Sequence, residues 1–172
     1  MDYIKHISSP LGKILLSGRD QALTGLWFEG QKYYAATLAG PFEERDLAVF
    51  ARTEKWLDLY FSGKNPDFTP ALAPSGSAFR KDVWEILLTI PFGQTMTYGD
   101  IAGQIAKRKG LPSMSAQAVG GAVSRNPISI IIPCHRVIGA GGSLTGYAGG
   151  LDRKEKLLAL EKAGCCSLAS LY

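Results

Sequence analysis

The feature that most restricts this chain is a break near its middle. Residues 65–76 contain Pro66, Pro70 and Pro74 and end in Ser75-Gly76. Proline fixes φ and lacks a donor, so neither a helix interior nor a central strand runs through such a stretch. The hydrophobic pattern also changes across it, from short strand-like runs before to helical spacing after. This predicts two units: residues 1–76, with the linker at the end, and residues 77–172. A length of 172 residues fits a small domain followed by a second one.

Ahead of the break, residues 2–7 alternate, residues 13–17 are apolar after the turn signal Pro10-Leu11-Gly12, and residues 23–28 follow a second turn at 18–21. They predict a small antiparallel meander. Residues 43–61 read as a helix with Leu47, Phe50, Trp56, Leu57 and Tyr60 on one face and Gly63 as its stop.

After the break, Ser77 can cap a helix to about Ile90 with Phe79, Val83, Trp84, Leu87 and Leu88 inward, ended by Pro91-Phe92-Gly93. Thr97 can cap residues 98–107, and Ser115 residues 116–124 with Val119 and Val123 on one side. The pair suits a helix-turn-helix with a longer turn than usual. Residues 128–132 form a buried apolar run, 139–150 a glycine-rich loop, and 151–163 a last helix with Leu157, Leu158 and Leu160 as its core stripe. The expected class is α+β: a small antiparallel-sheet domain, then a mainly helical domain.

Charge is uneven. Residues 1–78 hold 8 Lys and Arg against 9 Asp and Glu, a net of −1, whereas residues 79–172 hold 11 against 6, a net of +5. A basic second half suits a phosphate backbone. No apolar run reaches the roughly 18 residues of a membrane span, and the start, Met1 to His6, has no secretory pattern. The expectation is a cytoplasmic protein with no membrane partner. The cysteines are Cys134, Cys165 and Cys166, and the histidines His6 and His135. That set predicts no disulfide framework and no metal site. Cys165 and Cys166 read as incidental tail residues and His6 as a strand surface residue.

Two short segments carry the chemistry. Ala116, Ala118, Gly120, Gly121 and Ala122 make the second helix of the pair unusually small. Each glycine costs a helix about 1 kcal/mol relative to alanine, which calls for a compensating reason: close approach to a wide surface, or tight packing on another helix. The other segment is Ile132-Pro133-Cys134-His135-Arg136-Val137. A free thiol is mostly protonated at neutral pH, and a nearby imidazole can take its proton. Adjacent side chains point in different directions, so a bridging water, with a third group orienting the histidine, is the expected arrangement. Glu161, bordering the apolar face of the last helix, is a candidate for that group; a surface role is its alternative.

Pro133-Cys134-His135-Arg136-Val137 resembles the active-site signature of the O6-alkylguanine-DNA alkyltransferases, the methylated-DNA–protein-cysteine methyltransferases. Val83-Trp84, Ile90-Pro91-Phe92-Gly93, Thr97-Tyr98-Gly99, Ala118-Val119-Gly120-Gly121-Ala122, Asn126-Pro127 and Gly146-Tyr147-Ala148-Gly149-Gly150 extend the likeness over roughly residues 79–161. Pro10-Leu11-Gly12 and Leu26-Trp27-Phe28 match loosely before it. The resemblance implies a ribonuclease-H-like first domain and direct-reversal repair of O6-alkylguanine, with O4-alkylthymine, in double-stranded DNA. It implies a monomer with no cofactor. By resemblance Cys134 is the acceptor, His135 its base through water, Glu161 the group orienting His135, and Asn126 the brace of the reactive turn. Tyr98 and Tyr147 line the base pocket, near guanine N3 and O6. Val137, Ala148, Lys154 and Ser129 complete the substrate-binding set. Ala116, Gln117, Ala118, Gly120, Gly121 and Arg136 face DNA, with Arg136 also tying the loop down.

Two positions depart from the family pattern. Gln117 stands where many relatives carry an arginine that fills the gap left by the flipped base. Ser129 is proline in some. Two other classes compete: a non-catalytic lesion-binding module, which the presence of Cys134 argues against, and a cysteine hydrolase, which no oxyanion loop supports.

Overall fold

The computed structural model describes residues 1–169, with side chains described as far as Cys165. The expected meander is present as β1 (Asp2–Ser9), β2 (Gly12–Arg19) and β3 (Ala22–Phe28), each antiparallel to the next. Alternation gives the sheet two faces. One buries Ile14, Leu16, Leu26 and Phe28 in the main core; the other buries Ile4, Leu15 and Trp27 beneath Ala35 and Leu38.

The helix expected over 43–61 starts later. Residues Phe42–Glu44 form a strand, β4, parallel to β1, and helix α1 spans Ala48–Phe61. The open edge of β1 offers backbone partners that outweigh the helix preference of Glu43 and Glu44. Phe50, Trp56, Leu57 and Tyr60 of α1 are buried as the spacing predicts, together with Val49 and Thr53.

The outer edge of β3 does more than end the sheet. Leu23 donates to the Ala71 carbonyl and accepts from the Ala73 amide, both at 2.8 Å, so the proline-rich segment is fastened to the sheet. Three residues further on, Leu26 N donates to Pro127 O at 2.8 Å and Leu26 O accepts from Ser129 N at 2.9 Å. The edge left open by the meander therefore holds the segment leading to Cys134.

Helix α2 (Ala78–Leu87) is capped by the Ser77 hydroxyl, which accepts from Arg80 N. It stops short of Ile90, because Thr89 and Ile90 donate to carbonyls three residues back. Leu88, at the cap, still donates to Trp84 O at 3.1 Å and stands 46% exposed, whereas Ile86 and Ile90 are buried, which corrects the expected burial of Leu88. Strands β5 (Met96–Thr97) and β6 (Val137–Ile138) pair in parallel. Thr97 then opens helix α3 (Tyr98–Lys109) with a full capping box through Asp100, and Gly110 stops it at φ +64°. Ser115 caps helix α4 (Ala116–Ser124), and Trp84 Nε1 on α2 donates to the Ala122 carbonyl at 2.9 Å.

Helix α5 runs Leu151–Ala169, beyond the expected 163. Its inward line is Lys154, Leu157, Glu161 and Gly164, while Leu158 and Leu160 are half-buried. The expected leucine stripe is thus corrected: two ionisable residues occupy core-facing positions. Residues of both halves share one core, in which Phe28, Tyr60, Trp84, Ile132 and Leu157 belong to a single cluster. No helix among the described residues is long and apolar enough to cross a membrane.

Candidate active site

The reactive turn is built by side chain-to-backbone bonds, with no regular element before Cys134. Asn126 is buried. Its Oδ1 accepts from Ile128 N at 3.0 Å, and its Nδ2 donates to Ile128 O at 3.2 Å and Ile132 O at 2.8 Å. Inside this clamp the chain makes two three-residue turns, with Ile131 N donating to Ser129 O and Cys134 N to Ile132 O, each at 2.8 Å. The first is centred on Ile130 at φ +69°, a conformation that costs a β-branched residue about 1–3 kcal/mol. Complete burial of Ile128 and Ile130 and the Asn126 bonds offset that cost.

A short 3-10 turn, Cys134–Arg136, then sets three consecutive buried side chains in three directions. Cys134 is a free thiol. Burial pushes it up to about 11, against the downward pull of Asn126 and the Lys154 charge, so at neutral pH it rests protonated. His135 is fully buried, and desolvation lowers it despite the raising effect of Glu161. Its Nε2 is hydrogen-bonded to Glu161 Oε2, while Nδ1 is buried with no protein partner among the described residues.

Glu161 is the hub. Burial raises its carboxyl, but His135, Arg136 and the Gly93 amide together outweigh this and hold it at about 2. Oε1 accepts from Arg136 Nε at 2.7 Å and from Gly93 N at 2.9 Å; Oε2 accepts from His135 and from Tyr60 Oη at 2.6 Å. A carboxylate beside a neutral imidazole puts the ring proton on Nε2 and leaves the lone pair on Nδ1. Glu161 is 1% exposed, which rules out the surface alternative. Arg136 also donates to Ile90 O at 2.7 Å and is 8% exposed. Its expected DNA contact is therefore corrected: the guanidinium points into the core and ties the turn down.

A cavity of about 200 Å³ opens on Cys134, walled by Tyr98, Gly120, Val123, Ser124, Gly146, Tyr147 and Ala148, with Lys32 at its side. This is below the ~300–1,000 Å³ of pockets for larger ligands. Tyr98 Oη donates to Thr145 O at 3.2 Å. The Tyr147 hydroxyl is buried and faces Ser129 without closing a full hydrogen bond; burial raises it well above its ordinary value, so it keeps its proton. Ser129, Val137 and Lys154 lie behind the wall. Lys154 is fully buried and reaches the carbonyls of Val137, Thr145 and Gly146 at 2.5, 2.9 and 3.4 Å, fastening the glycine-rich loop to β6.

Beside the cavity, α4 presents Ala116, Gln117, Ala118 and Gly121 to solvent. An added Cβ at Gly121 would meet nothing within 4 Å, and one at Gly120 only the Tyr98 ring at 3.8 Å. Internal packing does not require glycine at either place; Gly120 lines the cavity and Gly121 faces solvent.

A family model described as "6-O-methylguanine DNA methyltransferase, DNA binding domain" matches residues 78–163, and "6-O-methylguanine DNA methyltransferase, ribonuclease-like domain" matches residues 3–74. The chain belongs to this family. Among its relatives is a methylated-DNA–protein-cysteine methyltransferase of Mycobacterium leprae, 45% identical over 172 residues, 100% of this chain and 99% of that protein. Another, from Methanosarcina barkeri, is 47% identical over 160 residues, 93% of this chain and 97% of its own length. The crystal structure of Mycobacterium tuberculosis OGT in complex with DNA superposes with a TM-score of 0.81 at 41% identity, covering 94% of each chain.

Sequence reasoning missed two residues of this methyltransferase site. Tyr60 reads as one more apolar residue of α1, yet its hydroxyl reaches Glu161. Lys32 lies in a loop with no motif, yet its amide donates to Ala148 O at 3.0 Å beside the cavity. Cys165, read as incidental, is half-buried with Sγ 3.6 Å from Phe92 O; the Cys166 side chain lies outside the described residues. His6 is exposed, as expected.

Proposed function

We propose that the chain moves the alkyl group of O6-alkylguanine, chiefly methyl, and also that of O4-alkylthymine, from double-stranded DNA irreversibly onto Cys134. The observation that carries this reading is a buried free thiol opening on a base-sized cavity, with a neutral histidine and a carboxylate behind it. The thiol proton passes through water to His135 Nδ1. The resulting imidazolium is held by Glu161, so charge forms beside its counter-charge instead of in bare low dielectric. Cys134 Sγ attacks the alkyl carbon; the S–C bond forms as the C–O bond breaks, and the bond pair goes to the base oxygen. Tyr147 is a hydrogen-bond donor toward that oxygen, Tyr98 flanks the base near N3, and the base leaves with a proton taken up in the pocket. A thioether resists hydrolysis, so each molecule acts once.

The target base must leave the stack to reach a buried sulfur, at a cost of a few kcal/mol. Helix α4, with Ala116, Gln117, Ala118, Gly120 and Gly121, supports minor-groove approach, where little sequence is read. Gln117 hydrogen-bonds to the orphaned partner base without adding charge. The protein acts as a monomer in the cytoplasm, with residues 1–76 as a supporting domain and 77–172 as the acceptor and DNA-binding domain.

The test is incubation with duplex DNA carrying O6-methylguanine, followed by mass measurement of the peptide containing Cys134. One methyl group per molecule is expected. Binding with no mass gain would make the protein a lesion-binding module, and repeated turnover a hydrolase.

A further inference from the structure

We propose that Tyr60, on α1 of the first half of the chain, is a positioning residue for alkyl transfer: its hydroxyl fixes the Glu161 carboxylate and, through it, the tautomer and orientation of His135. This rests on the roles given above to Cys134 and His135.

The Glu161 carboxylate has about four acceptor sites, and four donors fill them. Arg136, His135 and the Gly93 amide come from the second half; Tyr60 is the contribution of the first. The phenol cannot swing away. It is fully buried, stacked on Trp56 with centroids 5.3 Å apart and planes 8° from parallel, and set edge-on to Phe92 at 6.0 Å and to His135 at 6.4 Å.

Proton counting gives the bond its meaning. Tyr60 has one proton, and it goes to Glu161 Oε2 at 2.6 Å. The phenol oxygen, 3.4 Å from His135 Nε2, can then only accept from that nitrogen. Both neighbours of Nε2 are thus acceptors, which keeps the proton there and the lone pair on Nδ1, the nitrogen left to serve the thiol. The groups facing His135 are Glu161 and Lys154 from α5, Tyr60 from α1, and Arg136 with the adjoining Cys134 from its own turn. Among them Tyr60 is the neutral donor that tempers Glu161. Without the hydroxyl, the carboxylate is more basic toward the imidazole, imidazolium is favoured, and less neutral base is present at a given acidic pH.

The experiment is the pH profile of single-turnover methyl transfer from O6-methylguanine duplex for the full-length protein, for Tyr60→Phe and for Trp56→Phe. Tyr60→Phe is expected to move the acidic limb to higher pH and lower the plateau roughly tenfold, the scale on which outer orienting groups act, with DNA affinity unchanged. Trp56→Phe disturbs the stack but spares the hydroxyl; it should lower the melting temperature and leave the limb in place. An unchanged limb in Tyr60→Phe, or the same shift in Trp56→Phe, overturns the proposal. Nitrogen-15 spectra give a second readout: protonated Nε2 and bare Nδ1 at His135 in the unsubstituted protein, with the imidazolium transition at higher pH in Tyr60→Phe, support it, and the opposite tautomer or an unmoved transition overturns it. If the unsubstituted protein gains no methyl at Cys134, the functional reading fails first; if it does and Tyr60→Phe matches it throughout, Tyr60 alone is dismissed.

Discussion

Helix α4 and the reactive turn are neighbours in sequence and wall the same cavity, yet they are built in opposite ways. The helix is held from its inner side and ends, by Val119 and Val123 in the core, Trp84 on Ala122 O and the Ser115 cap, while its outer side is cut back to almost nothing. The turn is gripped everywhere: by Asn126 inside, by Leu26 on the sheet edge, by Arg136 beneath and by Lys154 behind. A surface that must accept any DNA sequence gains from lacking side chains. A sulfur that must meet one carbon gains from having no freedom, because displacement needs near-attack geometry.

The contrast can be broken at five points. Cys134→Ser should abolish methyl transfer in a mass assay while duplex binding persists; transfer at the normal rate would end the account. Glu161→Gln should slow transfer on the order of 100-fold, within the usual share of acid–base assistance. It should also change acid unfolding. The Glu161 carboxyl is held at about 2, below its ordinary 4.5, so its stabilisation is complete above about 4.5 and disappears as pH falls toward 2. In the glutamine variant, melting temperature should therefore fall less steeply over that window. Asn126→Ala leaves the buried Ile128 amide without a partner and takes one of two donors from each of the Ile128 and Ile132 carbonyls, and should cost about 3 kcal/mol in chemical denaturation.

The two smaller effects concern the helix. Gln117→Arg should tighten duplex binding and steepen its salt dependence by about one counterion; equal affinity and equal slope would remove the significance given to that position. Gly121→Ala should raise stability by about 0.5–1 kcal/mol, since the methyl enters open space and helix propensity improves, while weakening DNA binding. Unchanged binding would show that the bare outer side of α4 has no role in docking.

Much of this organisation was legible in residue order. The three strands, the Ser77, Thr97 and Ser115 caps and the burial ahead of Cys134 all follow from local rules, because turns, caps and period-2 or period-3.6 patterns depend on near neighbours. The failures share a cause. Phe42–Glu44 became a strand because β1 had an open edge. Leu88 stands exposed at the cap of α2, where helical spacing alone does not say which side the core covers. Arg136 turned inward because a carboxylate 25 residues away was waiting for it.

Helix α5 draws the line most clearly. Its periodicity was visible, but an apolar search picks Leu158 and Leu160, whereas the fold buries Lys154 and Glu161. A charged side chain is buried only where partners from elsewhere satisfy it, and those partners lie on α1, after α2, on the reactive turn and in the glycine-rich loop. Composition and spacing therefore determined most of the elements, the one cysteine that stands beside a histidine, and the family the residues resemble. Only the tertiary structure decided that a tyrosine of the first half completes the charge centre of the second, because a hydrogen bond between residues 60 and 161 leaves no periodic trace in either helix.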